Sequence, residues 1–169
     1  MFAEILVLGA LPLLLFAAAG WDIASFTIPN FVTLALMAVF AVFAVVAGLS
    51  FADIWWHVLA GFMGLFIGFT LFALGYIGGG DAKLFAAVLL WLGLKDFLPY
   101  ALLASIFGGL LTLGLMLARQ YPLPAFLSRQ NWIVKLHDTR SGVPYGVALV
   151  AGAFFLLPST EIFRLAASA

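Results

Sequence analysis

Tyr76-Ile77-Gly78-Gly79-Gly80-Asp81-Ala82-Lys83 is the stretch on which the reading of the fold turns. Three consecutive glycines lead into an aspartate, and apolar runs flank them on both sides. A carboxylate between such runs is costly and calls for a use. Before it, residues 54–76 are apolar, open on Trp55 and Trp56, and carry Gly61, Gly64 and Gly68 at helical spacing on one side. Such a glycine face lets another helix approach closely. After it, the apolar run reaches only to Leu94 before Lys95 and Asp96. As a helix, residues 81–94 measure roughly 20 Å, short of a hydrocarbon core of about 30 Å. If this segment crosses, Asp81 lies at or below the headgroup level.

The 169 residues are 66% hydrophobic and only 8% charged. A soluble domain carries about a quarter charged residues, so the sequence predicts an all-α polytopic membrane protein, one domain over residues 1–169. Net charge is zero, which removes any general attraction to nucleic acid. Cysteine is absent, which excludes disulfides and thiolate metal sites. His57 and His137 are too few for a zinc site without carboxylate help, so neither metal nor cofactor is expected. The start of the chain does not read as a cleaved signal, because Glu4 stands where a basic region would be.

Six spans are expected: residues 2–21, 31–49, 54–76, 81–94, 97–117 and 143–157. Residues 22–30 form a loop in which Pro29 and Asn30 start the second span. Residues 50–53 read as a tight polar turn, and Pro158 ends the sixth span before a small polar tail. Residues 119–142 form the long polar segment. There Phe126, Leu127, Trp132, Ile133, Val134 and Leu136 alternate with Arg129, Lys135 and His137, as in a helix lying on the membrane surface.

Two spans separate Asp22 from Asp81, so both face one side. The segment 119–142 faces it too, and with Lys83 that side holds five of the seven basic residues. The positive-inside rule makes it the cytoplasmic face, with both termini outside.

Asp22 and Asp81 thus lie at the same boundary. Two carboxylates within a few ångströms cannot both ionise and share a proton. The ionised one can take a proton from water while the neutral one polarises a peptide carbonyl, which is aspartic-protease chemistry. Gly78, Gly79 and Gly80 give backbone that can adopt unusual dihedrals and approach a bound peptide, pairing with it as an added strand. Asp81 at a helix N-terminus and Asp22 at a helix C-terminus predict Asp81 ionised and Asp22 protonated, each end contributing about 0.3–1 kcal/mol. Lys83 is a candidate to orient Asp81 or substrate, against a plainly solvated charge. Pro29 and Asn30 are expected to fix the loop that presents Asp22.

Three motifs resemble the aspartic prepilin peptidases, more narrowly the short type serving tight-adherence (Flp) pili: Asp22 followed by Ile28-Pro29-Asn30, Gly78-Gly79-Gly80-Asp81-Ala82-Lys83, and Val143-Pro144-Tyr145-Gly146. The resemblance implies that Asp22 and Asp81 are the catalytic pair. It implies a prepilin substrate, with a short hydrophilic leader ahead of one hydrophobic helix, cleaved after a glycine at the cytoplasmic membrane face. It places the chain in the bacterial inner membrane beside a pilus-assembly machinery. Larger members carry a cysteine-rich insert between the first spans and N-methylate the product. The insert is missing here, so no methyltransferase activity is expected. A small transporter or assembly subunit using the aspartates as proton or cation sites is the alternative. Carboxylates at one edge rather than at midplane speak against it.

Overall fold

The computed structural model describes residues 2–167, which are helical and contain no strand. Helix α1 (Phe2–Ser25) is continuous, with a π-helical stretch at Leu6–Ala10. Pro12 follows it at the start of the regular α portion. A proline cannot donate to the turn before it and clashes with the carbonyl four residues back, and a wider turn relieves both. Helix α1 runs through Asp22 to Ser25, so the connection to α2 (Asn30–Val46) is four residues, 26–29, rather than the expected nine. Phe26 ends α1 in the left-handed conformation, φ 58°, with its N–H on the Asp22 carbonyl at 2.8 Å.

Helix α3 (Phe51–Ala73) begins earlier than expected because residues 50–53 form a capping box instead of a free turn. The Asp53 N–H donates to Ser50 Oγ at 3.2 Å and the Ser50 N–H returns a bond to Asp53 Oδ2 at 3.3 Å. Gly75, φ 78°, stops α3 in a Schellman turn, with Tyr76 N–H on the Leu71 carbonyl and Gly75 N–H on that of Phe72. Helix α4 (Gly79–Leu92) follows. A 3-10 turn, Leu94–Asp96, leads into α5 (Phe97–Ala118). Within the long polar segment α6 (Asn131–His137) forms, followed by α7 (Tyr145–Leu156).

The expected polar tail is instead the helix α8 (Glu161–Ala167), bent 57° from the segment before it. Thr160 caps it through Phe163 N–H, and Ile162 and Ala166 are buried in the core.

Helix α4 is the centre. Every residue from Leu84 to Leu92 is buried except Ala86, and α2, α3, α5, α7 and α8 all pack on it. Lipid tails are as apolar as leucine, so helices in a bilayer hold together by close packing and hydrogen bonds. The glycine face of α3 supplies the first. A Cβ on Gly64 would lie 2.6 Å from Leu89 Cδ1, and one on Gly68 would lie 3.0 Å from Ala82 Cα. Trp91 supplies the second through Nε1 to the Leu36 carbonyl at 2.9 Å, its ring against Phe40 and Phe43. Three helices, Phe2–Ser25, Phe51–Ala73 and Leu94–Ala118, are long and apolar enough to cross a membrane, and the bent pair Tyr145–Ser159 and Glu161–Ala167 would make a fourth. Six crossings go beyond what length and composition carry, because α2 spans 17 residues and α4 only 14.

Candidate active site

Three helix ends meet around the two aspartates. Asp22 lies on the last turn of α1, Asp81 on the first turn of α4, and Gly146 on the first turn of α7. Both carboxylates are buried, at 3% and 8% exposure, the only acidic side chains so enclosed among the described residues. The Gly146 N–H donates to Asp22 Oδ2 at 2.7 Å. The same amide also interacts with the Asp81 carboxylate, and the Asp81 charge acts on Asp22. The two acids thus converge on one backbone amide.

Asp81 is also held by its own turn. The Gly78 N–H donates to Asp81 Oδ2 at 3.1 Å, as an acidic residue at the third helical position does at a helix start. Asp22 is likewise at a helix start, although not its own, because Gly146 opens α7. Both carboxylates therefore sit at amino ends, where helix dipoles favour negative charge. Asp22 also remains on the carboxyl turn of α1, so the dipoles still favour charge on Asp81 over Asp22.

The glycines do something other than expected. None of Gly78, Gly79 and Gly80 has positive φ, and Gly79 and Gly80 are already helical. What they lack is bulk. A Cβ on Gly78 would lie 3.0 Å from Asp81 Oδ2, and one on Gly80 would lie 3.1 Å from both Ile28 Cβ and Ile28 N. Gly146 is the tightest of the glycines around the acids: a Cβ there would lie 2.7 Å from Asp22 Oδ2 and 2.8 Å from Ile28 Cδ1. Ile28 is thus a wedge between the two glycines that flank the acids. The left-handed turn at Phe26 brings it back there, and Pro29 (φ −63°, ψ 141°) starts α2 immediately after. In the sequence Ile28 and Gly146 stand out only as letters of motifs. Their roles depend on contacts across 52 and 124 positions respectively, and no local pattern encodes such a distance.

Lys83 does not orient Asp81. Two positions along a helix turn the side chain by about 200°, and Lys83 Nζ instead donates to Asn30 Oδ1 at 2.8 Å, tying the start of α2 to α4. Lys83 and Asn30 stand at one end of an apolar cavity of about 740 Å³ between α2 and α3, lined also by Met37, Val58, Phe62 and Leu90. It opens on the face of α4 turned away from Asp81, so this cavity and the acids are on opposite sides of one helix. His57 is distant from the acids and structural: its Nδ1 pairs with the Leu90 carbonyl at 2.9 Å near the far end of α4.

Residues 9–113 match the model of a family described as the type IV leader peptidase family. That range holds Asp22, the glycine loop and Asp81, and stops before Gly146. No curated protein and no solved structure matches.

Proposed function

The chain belongs to the type IV leader peptidase family, and from that premise we propose that it is a membrane-embedded aspartic endopeptidase removing the leader of Flp-type prepilins at the cytoplasmic face. Asp22 and Asp81 are its catalytic pair. The observation that supports this most is the convergence of two buried carboxylates, from α1 and α4, on the Gly146 amide. A charge enclosed in a bundle this apolar is destabilising and is retained for use.

The ionised carboxylate takes a proton from water as the water oxygen bonds to the scissile carbonyl carbon. The protonated one hydrogen-bonds the developing oxyanion. Collapse of the tetrahedral intermediate breaks the C–N bond, and the departing nitrogen receives the proton. Ile28 and the flanking glycines fix the spacing of the acids. Six crossings with both termini outside are part of this proposal and would set the acids where a hydrophobic helix leaves the bilayer. A four-residue connection between α1 and α2 leaves no room for a methyl-donor module, so cleavage proceeds without N-methylation.

Co-expression with a candidate Flp prepilin tests this. A leader-sized gel shift is expected with the wild type, and an unmethylated new terminus by mass spectrometry. Asp22→Ala and Asp81→Ala should abolish the shift while inserting normally. Processing at the wild-type level in either variant would refute the pair.

A further inference from the structure

Arg119, just past α5, donates from Nε and Nη2 to the Leu136 carbonyl at 3.0 and 2.8 Å, and from Nη2 to the Gly142 carbonyl at 3.0 Å. One guanidinium fork therefore fastens α6 and the end of the polar segment together, a task suited to its fixed donor geometry. So held, α6 delivers Lys135 to the turn that follows Asp22. Lys135 Nζ donates to the Ser25 carbonyl at 3.1 Å and stands 4.9 Å from the centre of the Phe26 ring. Among the described residues Phe26 is the one non-glycine with positive φ, at 58°. A bulky side chain resists that conformation and keeps it only where its surroundings hold it. The Phe26 N–H closes on the Asp22 carbonyl at 2.8 Å, so the strained residue and the acid share one hydrogen-bonded turn.

We propose that Lys135 is a positioning residue for Asp22. This rests on the reading of Asp22 as half of the catalytic pair. The ammonium satisfies a carbonyl that has no partner within α1 and complements the negative end of that helix. Over the face of Phe26 it also retains the ring. Together these hold the left-handed turn, the turn places Ile28 between Gly80 and Gly146, and that wedge fixes Asp22 against the Gly146 amide. Residues 119–142 lie outside the range matched by the family, so a part of the chain beyond that match supports the acid within it.

The test uses full-length protein in detergent with two readouts, hydrogen exchange at the Phe26 amide and steady-state cleavage of a purified prepilin. Lys135→Ala is expected to speed exchange about tenfold and to lower kcat about tenfold with KM unchanged, and Lys135→Arg to restore both. Glycine adopts the left-handed turn without strain, so in a Phe26→Gly background the further change Lys135→Ala should lower kcat less than about twofold. Unchanged exchange in Lys135→Ala, failure of Lys135→Arg to restore either readout, or full additivity with Phe26→Gly would each overturn the proposal. If the wild type cleaves no prepilin, the peptidase reading fails, and the exchange measurement alone then decides whether Lys135 holds the turn.

Discussion

The two ends of α4 are built from similar parts and differ in what they enclose. At the far end, Gly93 lies so close to the His57 ring that a Cβ would be 3.1 Å from Cε1. His57 pairs with the Leu90 carbonyl, and the Trp91 indole with the Leu36 carbonyl. Each partner there is a backbone carbonyl, and the arrangement anchors the helix. At the near end, Gly80 and Gly146 are just as crowded, by Ile28, but the groups enclosed are two carboxylates within electrostatic reach of each other. Crowding by glycine contacts is therefore a general device of this bundle, whereas among the described residues paired buried acid is confined to one place. An end that only anchors has no need of it.

The comparison can be broken by filling the crowded sites one at a time. Gly146→Ala should have the largest effect. Its Cβ would press on Asp22 Oδ2 and Ile28 Cδ1, at 2.7 and 2.8 Å, and cleavage should fall about a hundredfold, with an overpacking cost of about 1–3 kcal/mol. A kcat close to the wild type in a prepilin assay would mean that this amide is not part of the site. Gly68→Ala comes next. Its Cβ meets Ala82 backbone at 3.0 Å, so thermal unfolding in detergent should report a loss of about 1–3 kcal/mol, with cleavage falling less than for Gly146→Ala.

His57→Ala sharpens the contrast from the anchoring end. It leaves the Leu90 carbonyl without its side-chain partner and removes the ring packed 5.3 Å from Phe40, at a cost of about 1–3 kcal/mol. The kcat of the folded fraction should stay within about threefold of the wild type, and a larger drop would make the two ends functionally alike. Lys83→Ala should be the mildest, because its bond to Asn30 is exposed. A stability change below about 1 kcal/mol is expected, and loss of cleavage would restore Lys83 to the site.

Much of this was legible in the chain because the signals are local. The apolar runs gave the helices α1 to α5 and α7 near their ends, and the face of Gly61, Gly64 and Gly68 announced the close approach of α3 to α4. Asp22 and Asp81 stand out in the sequence by their isolation among apolar residues, and the fold brings their carboxylates within electrostatic reach of each other. What escaped was set by contact rather than pattern. Helix α1 outruns its apolar stretch because Asp22 finds a donor in Gly146, so the acid does not end the helix. Helix α8 looked like a polar tail because only Ile162 and Ala166 are buried in a short sequence with charges at Glu161 and Arg164. Gly78, Gly79 and Gly80 suggested backbone freedom, but glycine signals missing bulk equally well, and only the position of Ile28 distinguishes the two.

The most direct test of the account uses isosteric changes that preserve packing. Asp22→Asn and Asp81→Asn keep the shape of each side chain and an oxygen that can accept from Gly146 or Gly78, while removing the carboxylate. Purified with a prepilin in detergent, each variant should keep the wild-type unfolding temperature within a few degrees and release no leader peptide detectable by mass spectrometry. Leader release at the wild-type rate by either variant would contradict the claim that the two acids together perform the cleavage.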